Sequence, residues 1–219
     1  ATLTLKIHAD AAVHLVFKVK IISWNVNSLR AREPLVQKII KKEKPNVLCI
    51  QELKIDDHDY VSNFFSQYNY QTITQTQKSY NGVSISYNKE IDIQDLTFNE
   101  LNKSYARNNV LLLKKQRIAI VNNYFPNGNP IDTEKFSFKL DWMNEHHNLI
   151  KKLKEEYEII LTGDFNIIPE DNDAHDIKKY KNDALAQPES RKQFFKLINL
   201  DLLDVFEHVE KKSSYTFFD

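Results

Sequence analysis

Asp164 and Asn166 place a carboxylate and an amide two residues apart, behind Gly163, where the apolar run Ile159-Ile160-Leu161 gives way to polar sequence. A carboxylate can take a proton from water or hold a cation. An amide can donate to an anionic oxygen, and a strand edge bearing both is where chemistry is usually mounted on a layered α/β scaffold. A fully buried strand broken at Gly163 would turn sharply there and project both side chains from one edge and one face. Gly-Asp-x-Asn is also good turn chemistry, which accounts for the spacing about as well.

Other polar residues repeat the arrangement. Asn25 and Asn27 follow one apolar run, Glu52 follows the run that closes at Gln51, and Tyr124 follows a third. Four strand ends thus carry Asn, Glu, Tyr, and Asp with Asn. If they converge, Glu52 with neighbouring oxygens makes a site for a hard cation, and Mg²⁺ suits carboxylate, amide and water ligands. Cysteine and histidine are not spaced for zinc, and no Gly-x-x-x-x-Gly-Lys loop points to a nucleotide-driven motor. The three glycines, Gly82, Gly128 and Gly163, each sit at a strand boundary beside an amide or an acid. For Asn81-Gly82 an ordinary hairpin turn is a strong competing explanation.

Positioning these residues requires a layered scaffold. Lys20 to Trp24 reads as a strand, Pro34 to Lys44 as a helix with Leu35, Val36, Ile39 and Ile40 on one side, and Asn46 to Gln51 as the next strand. Val83 to Tyr87 alternates with period two, and Arg117 to Tyr124 forms another strand. Phe136, Leu140, Met143, His147 and Ile150 fall at helical spacing, so residues 133 to 156 form a long amphipathic helix, with His147 a helix residue rather than a ligand. Polar loop follows Pro169 to about Lys181, then helices over Glu189 to Leu197 and Leu202 to Val209. Interleaved strands and helices argue for an α/β or α+β layered fold.

A chain of 219 residues with 42% hydrophobic content supports one large domain, with residues 1–18 an extension of unknown role. Basic and acidic residues balance at 30 each, so nucleic acid would be met by local patches and not by a bulk positive field. The lone Cys49, within Val47-Leu-Cys-Ile50, packs in a core and fits a reducing, cytoplasmic compartment. No segment reads as a membrane span or a secretory leader.

Six stretches taken together resemble the exodeoxyribonuclease III type of apurinic/apyrimidinic (AP) endonuclease, within the endonuclease/exonuclease/phosphatase superfamily. They are Ser23-Trp-Asn-Val-Asn-Ser-Leu-Arg-Ala31, Leu48-Cys-Ile-Gln-Glu-Leu-Lys54, Tyr80-Asn-Gly-Val83, Asn123-Tyr-Phe-Pro-Asn-Gly128, Thr162-Gly-Asp-Phe-Asn-Ile-Ile-Pro169 and Tyr215-Thr-Phe-Phe-Asp219. Six in family order, from about residue 19 to the last residue, are highly specific. The resemblance implies a four-layer α/β sandwich with two facing mixed sheets flanked by helices. It also implies a hydrolase using Mg²⁺, or alternatively Mn²⁺, that cleaves duplex DNA at abasic sites and degrades it from 3′ ends.

The same resemblance supplies roles. Glu52 corresponds to the metal-binding glutamate, with Asn25 and Asn27 beside the metal. Tyr124 corresponds to the tyrosine that approaches the scissile phosphate, Asp164 to the acid that orients or deprotonates water, and Asn166 to the amide on a phosphate oxygen. Arg30, Lys54 and Asn127 match positions on the DNA backbone, Arg107 a family arginine before a strand, and Phe217 an aromatic against a flipped-out abasic sugar. Asn108-Asn109 replaces the usual apolar pair after Arg107.

Family members carry a further acid-bearing strand and a final Ser-Asp-His segment, which residues 1–219 do not match. The domain from residue 19 onward is therefore expected to be incomplete at its C-terminus, with its last strands missing. His175 and His208 are expected on the surface. Two further readings follow, a catalytically impaired remnant with weak DNA binding and another phosphodiesterase or phosphatase of the superfamily. The expected state is a monomer, with association through the incomplete sheet as the alternative.

Overall fold

Among the described residues, nine strands, rich in Val, Ile and Leu, assemble into two mixed sheets. In the first, β1 (Thr2–His8), β2 (Val16–Asn25), β3 (Val47–Gln51), β4 (Tyr70–Gln75) and β5 (Val83–Asn88) lie in the order β1-β2-β3-β5-β4. In the second, β6 (Leu96–Asn99), β7 (Asn108–Leu113), β8 (Ile118–Tyr124) and β9 (Glu158–Asp164) lie in sequence order. The computed structural model describes residues 2–8, 16–89, 96–99, 106–205 and 208.

Parallel pairing of β2 with β3 aligns Asn25 with Gln51, and parallel pairing of β8 with β9 aligns Tyr124 with Asp164. The polar residues of both sheets therefore collect at strand ends. All five residues of β3 are buried, as a strand covered on both faces must be. On one face lie α1 (Leu29–Glu43) and α2 (His58–Ser66), which pack Leu29, Val36, Ile40, Val61, Phe64 and Phe65 against Ile22, Leu48 and Ile50. On the other face Ile21, Val47, Cys49 and Ile85 meet Leu111, Leu113, Ile118 and Ile120 of the second sheet. Helix, sheet and facing sheet are thus stacked in layers, an α/β architecture.

The chain divides into two units. The first is Ala1–Tyr124 with Tyr157–Asp164, and the second Phe125–Glu156 with Phe165–Asp219. The second holds α3 (Glu134–Leu153), α4 (Pro188–Ile198) and two short 3₁₀ turns. Its core is aromatic, with Phe125 edge-on to Trp142 at 4.9 Å and Phe165 near Phe125 at 5.0 Å.

Several expectations shift. The first helix starts at Leu29, capped by Ser28, and carries Pro34 inside it; Leu35 is 49% exposed, because Leu29, Val36 and Ile40 form the buried stripe. The buried face of α3 is Lys139, Trp142, Met143, His146, His147 and Ile150, rotated by one residue from the apolar positions Phe136 and Leu140. Residues 202–204 are not helical, and 209 lies outside the described residues. β9 is half-exposed along its length and includes Gly163, so it is neither fully buried nor broken there. A Cβ at Gly163 would stand 2.0 Å from the Asn123 carbonyl oxygen of β8; close approach of a neighbouring strand explains this glycine.

Candidate active site

The strand-end cluster of the first unit is built around one amide. Asn25 Nδ2 donates to Glu52 Oε1 and to Asp164 Oδ2, each at 2.7 Å, bringing together residues 139 apart in sequence. Asn25 Oδ1 in turn accepts from the Asn27 backbone at 3.0 Å, which sets the direction of the side chain. Lys54 Nζ lies 3.0 Å from Glu52 Oε2 and donates to Asn27 Oδ1 at 2.5 Å.

Tyr124 joins through its hydroxyl, which donates to Glu52; burial first, and then the Glu52 charge, raise the phenol well above its ordinary value and keep it protonated. The Arg107 guanidinium lies 5.0 Å over the Tyr124 ring and its Nη1 donates to the Tyr124 carbonyl at 3.3 Å. Its Nε is buried without a partner. For Glu52, burial alone would raise the carboxyl, but hydrogen bonds from Asn25 and Lys54 and the Lys54 charge outweigh it, and the group is lowered from 4.5.

Backbone strain marks the same residues. Asn27, Glu52, Lys54 and Asn166 all have left-handed φ, at 45°, 54°, 54° and 46°. Such a φ is uncommon for a glutamate or lysine and persists only where surrounding bonds enforce it. Here they do: Ser28 N donates to Glu52 O at 2.8 Å, while Leu53 N and Lys54 N donate to Gly82 O and Asn81 O, each at 3.0 Å. Gly82 packs so closely that a Cβ would lie 2.9 Å from Leu53 Cβ. Asn81-Gly82 is therefore the brace behind Glu52 and Lys54, inside a longer loop between β4 and β5.

Beneath this cluster the two sheets are joined by amides. Gln51 Nε2 donates to Asn122 Oδ1 at 2.6 Å, and Asn122 Nδ2 donates to Ile50 O and Ser84 O at 3.0 and 2.9 Å. Asn109 Nδ2 reaches Ile73 O and Val83 O at 3.3 and 3.4 Å. The Asn108-Asn109 pair thus sits in a buried strand because Asn109 satisfies carbonyls of the facing sheet.

A sequence profile of the Endonuclease/Exonuclease/phosphatase family matches residues 22–217. The chain belongs to that family. It is 26% identical to an exodeoxyribonuclease of Bacillus subtilis over 87% of this chain and 75% of that one. It is 28% identical to a DNA-(apurinic or apyrimidinic site) endonuclease of Dictyostelium discoideum, spanning 91% of this chain but only 56% of that protein. A structure of a 3′ phosphatase from Neisseria bound to product DNA hairpin shares the fold with a TM-score of 0.82 and 29% identity, over 92% of this chain and 79% of that one.

Within this family member, the first unit brings Asn25, Asn27, Glu52, Lys54, Arg107, Tyr124 and Asp164 into one bonded cluster. Arg30 stands apart from it in contact terms, with its guanidinium 4.7 Å over the Tyr60 ring; together with Lys54, Lys78, Asp56 and Asp57 it lines a cavity of about 340 Å³. Asn127 and Asn166 belong to the second unit. Asn166 is nine-tenths buried and its Nδ2 donates to Phe125 O at 2.9 Å, while Asn127 is exposed. Its left-handed φ removes Asn166 from the strand geometry that would align it with Asp164. Phe217 lies outside the described residues. His175 and His208 are exposed, and Cys49 is buried with its thiol pushed up to about 12 by burial. The Gln51-Asn122 clamp has a faint sequence signal: Gln51 ends one otherwise apolar run and Asn122 another.

The donors fit a hard cation. Among the described residues no group of three or more His, Cys, Asp and Glu is placed to hold a metal, so a thiolate or imidazole cage is not what this cluster provides. Glu52 and Asp164, two carboxylates braced by the Asn25 amide, are the oxygen donors that could hold a hard cation.

Proposed function

We propose that the chain is a phosphodiester hydrolase of exodeoxyribonuclease III type, acting with Mg²⁺ on duplex DNA at abasic sites and at 3′ ends. The observation that carries this is the Asn25 amide bonded at once to Glu52 and Asp164, which holds two carboxylates ready at the end of two sheets. Family membership and the exodeoxyribonuclease and endonuclease relatives support DNA as substrate.

The chemistry divides among the residues. A bound cation, carried on Glu52, would neutralise charge on the phosphate. Asp164 takes the proton of the attacking water, and Asn25 keeps its carboxylate aimed. Tyr124, protonated at neutral pH, can donate its hydroxyl proton to a phosphate oxygen. Arg107 and Lys54 offset the negative charge that grows on the phosphorus oxygens. Asn166 carries the amide assigned to a phosphate oxygen, and Arg30 and Asn127 meet the DNA backbone. The protein acts as a monomer in the cytoplasm.

Incubating the chain with Mg²⁺ and a duplex bearing one abasic site, beside Glu52→Ala, tests the reading. Nicking by the native chain and its loss in the variant are expected; equal or absent nicking in both would sink it.

A further inference from the structure

Lys139 is 0% exposed, an uncommon state for a lysine. Its Nζ donates to the Asn166 carbonyl at 2.6 Å and to the Asn127 carbonyl at 3.1 Å. Those two residues come from separate loops of the second unit, one after β9 and one after β8. The stem is as closely enclosed as the head: a Cβ at Gly128 would lie 2.6 Å from Lys139 Cδ and 3.2 Å from its Cβ, and Gly128 has φ of +88°. Glycine at 128 is what lets the loop close over the lysine.

We infer that Lys139 is a positioning residue, whose ammonium ties the Asn127 and Asn166 loops together and so aims both amide side chains at an anionic phosphodiester. The inference rests on the nuclease reading, which gives those two asparagines their ligand. Three facts support it. Enclosing an ammonium costs several kcal/mol that a methionine of similar length would avoid, so packing alone does not call for a lysine here. The bonds to Asn127 O and Asn166 O go to main-chain carbonyls, where they fix loop geometry. Asn166 is further held through Nδ2 to Phe125 O and has left-handed φ, so its side-chain direction depends on the loop path that Lys139 sets.

Asn127 is held in the same way. Its Oδ1 accepts from Asn129 N at 3.1 Å, and Asn129 binds Asp183 Oδ1 and Ala184 N at 3.0 and 2.8 Å. Lys139 joins this braced loop to the one carrying Asn166.

The test uses the full chain with Lys139→Met, Lys139→Arg and, as a control on the same helix, Met143→Ala. Two readouts are taken: kcat and KM on an abasic duplex, corrected for folded fraction, and hydrogen exchange of segments 125–130 and 165–168 against α3. Lys139→Met is expected to lower kcat about 10²-fold, the effect of a misplacement near 1 Å, with exchange faster in both loops while α3 stays protected. Lys139→Arg restores part of kcat because it still donates, and Met143→Ala keeps native kcat per folded molecule. Native kcat in Lys139→Met, unchanged loop exchange, or an equal kcat loss in Met143→Ala would overturn the inference. If the native chain nicks no DNA, the nuclease reading fails by itself, and loop exchange alone then decides whether Lys139 sets the two loops.

Discussion

In the first unit the charge lies on two carboxylates held by a neutral amide, Asn25; in the second it lies on an enclosed ammonium, Lys139, held by neutral carbonyls. The difference follows from what each must do. Glu52 keeps a side-chain exposure of 17%, so water and a cation can reach it and exchange with Asn25 and Lys54. Lys139 has no exposure, so solvent does not compete for its ammonium. One unit offers reactive charge and the other a fixed frame.

The largest effect should come from the reactive side. Asp164→Asn keeps the shape and still accepts from Asn25, but removes the base, so turnover of an abasic duplex should drop about 10²- to 10⁴-fold. The thermal midpoint should move little. Retention of turnover within tenfold would show that Asp164 does not handle the proton.

Two glycines then compare how rigid each frame is. At Gly163 an added Cβ meets backbone at 2.0 Å, and backbone cannot swing away; at Gly128 it meets the Lys139 stem at 2.6 Å, which can shift. Both have positive φ. Gly163→Ala should cost about 3 kcal/mol and Gly128→Ala about 1 to 2 kcal/mol, read from urea midpoints. Equal costs would mean that the lysine stem is as unyielding as a strand.

The polar clamp of the first unit comes next. Asn122→Ala leaves Gln51 Nε2 without its shortest partner and strips Ile50 O and Ser84 O of a donor, which should cost about 2 kcal/mol. In the second unit, Asn144→Ala breaks only the exposed Lys196 Nζ contact at 2.9 Å and should stay within about 0.5 kcal/mol. A comparable loss in both would deny the buried amides their structural part.

Much of the first unit was legible because its strands are short apolar runs closed by a polar residue, and Asn25, Glu52, Tyr124 and Asp164 all sit at such closures. β7 is announced only by the resemblance that puts a strand after Arg107, since Asn108 and Asn109 look like loop until their facing carbonyls are seen. β4, Tyr70-Gln-Thr-Ile-Thr-Gln75, has too few apolar residues to announce itself. Neither the left-handed φ of Glu52 nor the enclosure of Lys139 has any local cause: the first is enforced by Asn81 and Gly82, the second by Gly128 and two carbonyls far along the chain. Helical periodicity finds Met143, His147 and Ile150 on the buried face of α3, but it treats a lysine as an outward residue and so passes over Lys139.

Acid also separates the units. His146 is stacked on Trp142 at 5.0 Å and edge-on to Phe125 at 5.3 Å, with neither ring nitrogen partnered, and burial, then His147, lower it to about 3 from 6.5. Between those values the unfolded chain binds a proton that the folded chain refuses, so stability is full above pH 6.5 and falls as pH drops, by up to about 1.4 kcal/mol per pH unit. Glu52 is lowered as well, yet its window opens only below 4.5, where the unfolded carboxylate begins to protonate first. Acid should therefore strain the second unit before the first. In urea midpoints measured from pH 7 to 4, His146→Phe should flatten the loss between 6.5 and 4.5, and Lys54→Met should leave that span alone and soften only the decline below it. A His146→Phe curve parallel to the native one would mean that the imidazole finds a proton acceptor in the folded core.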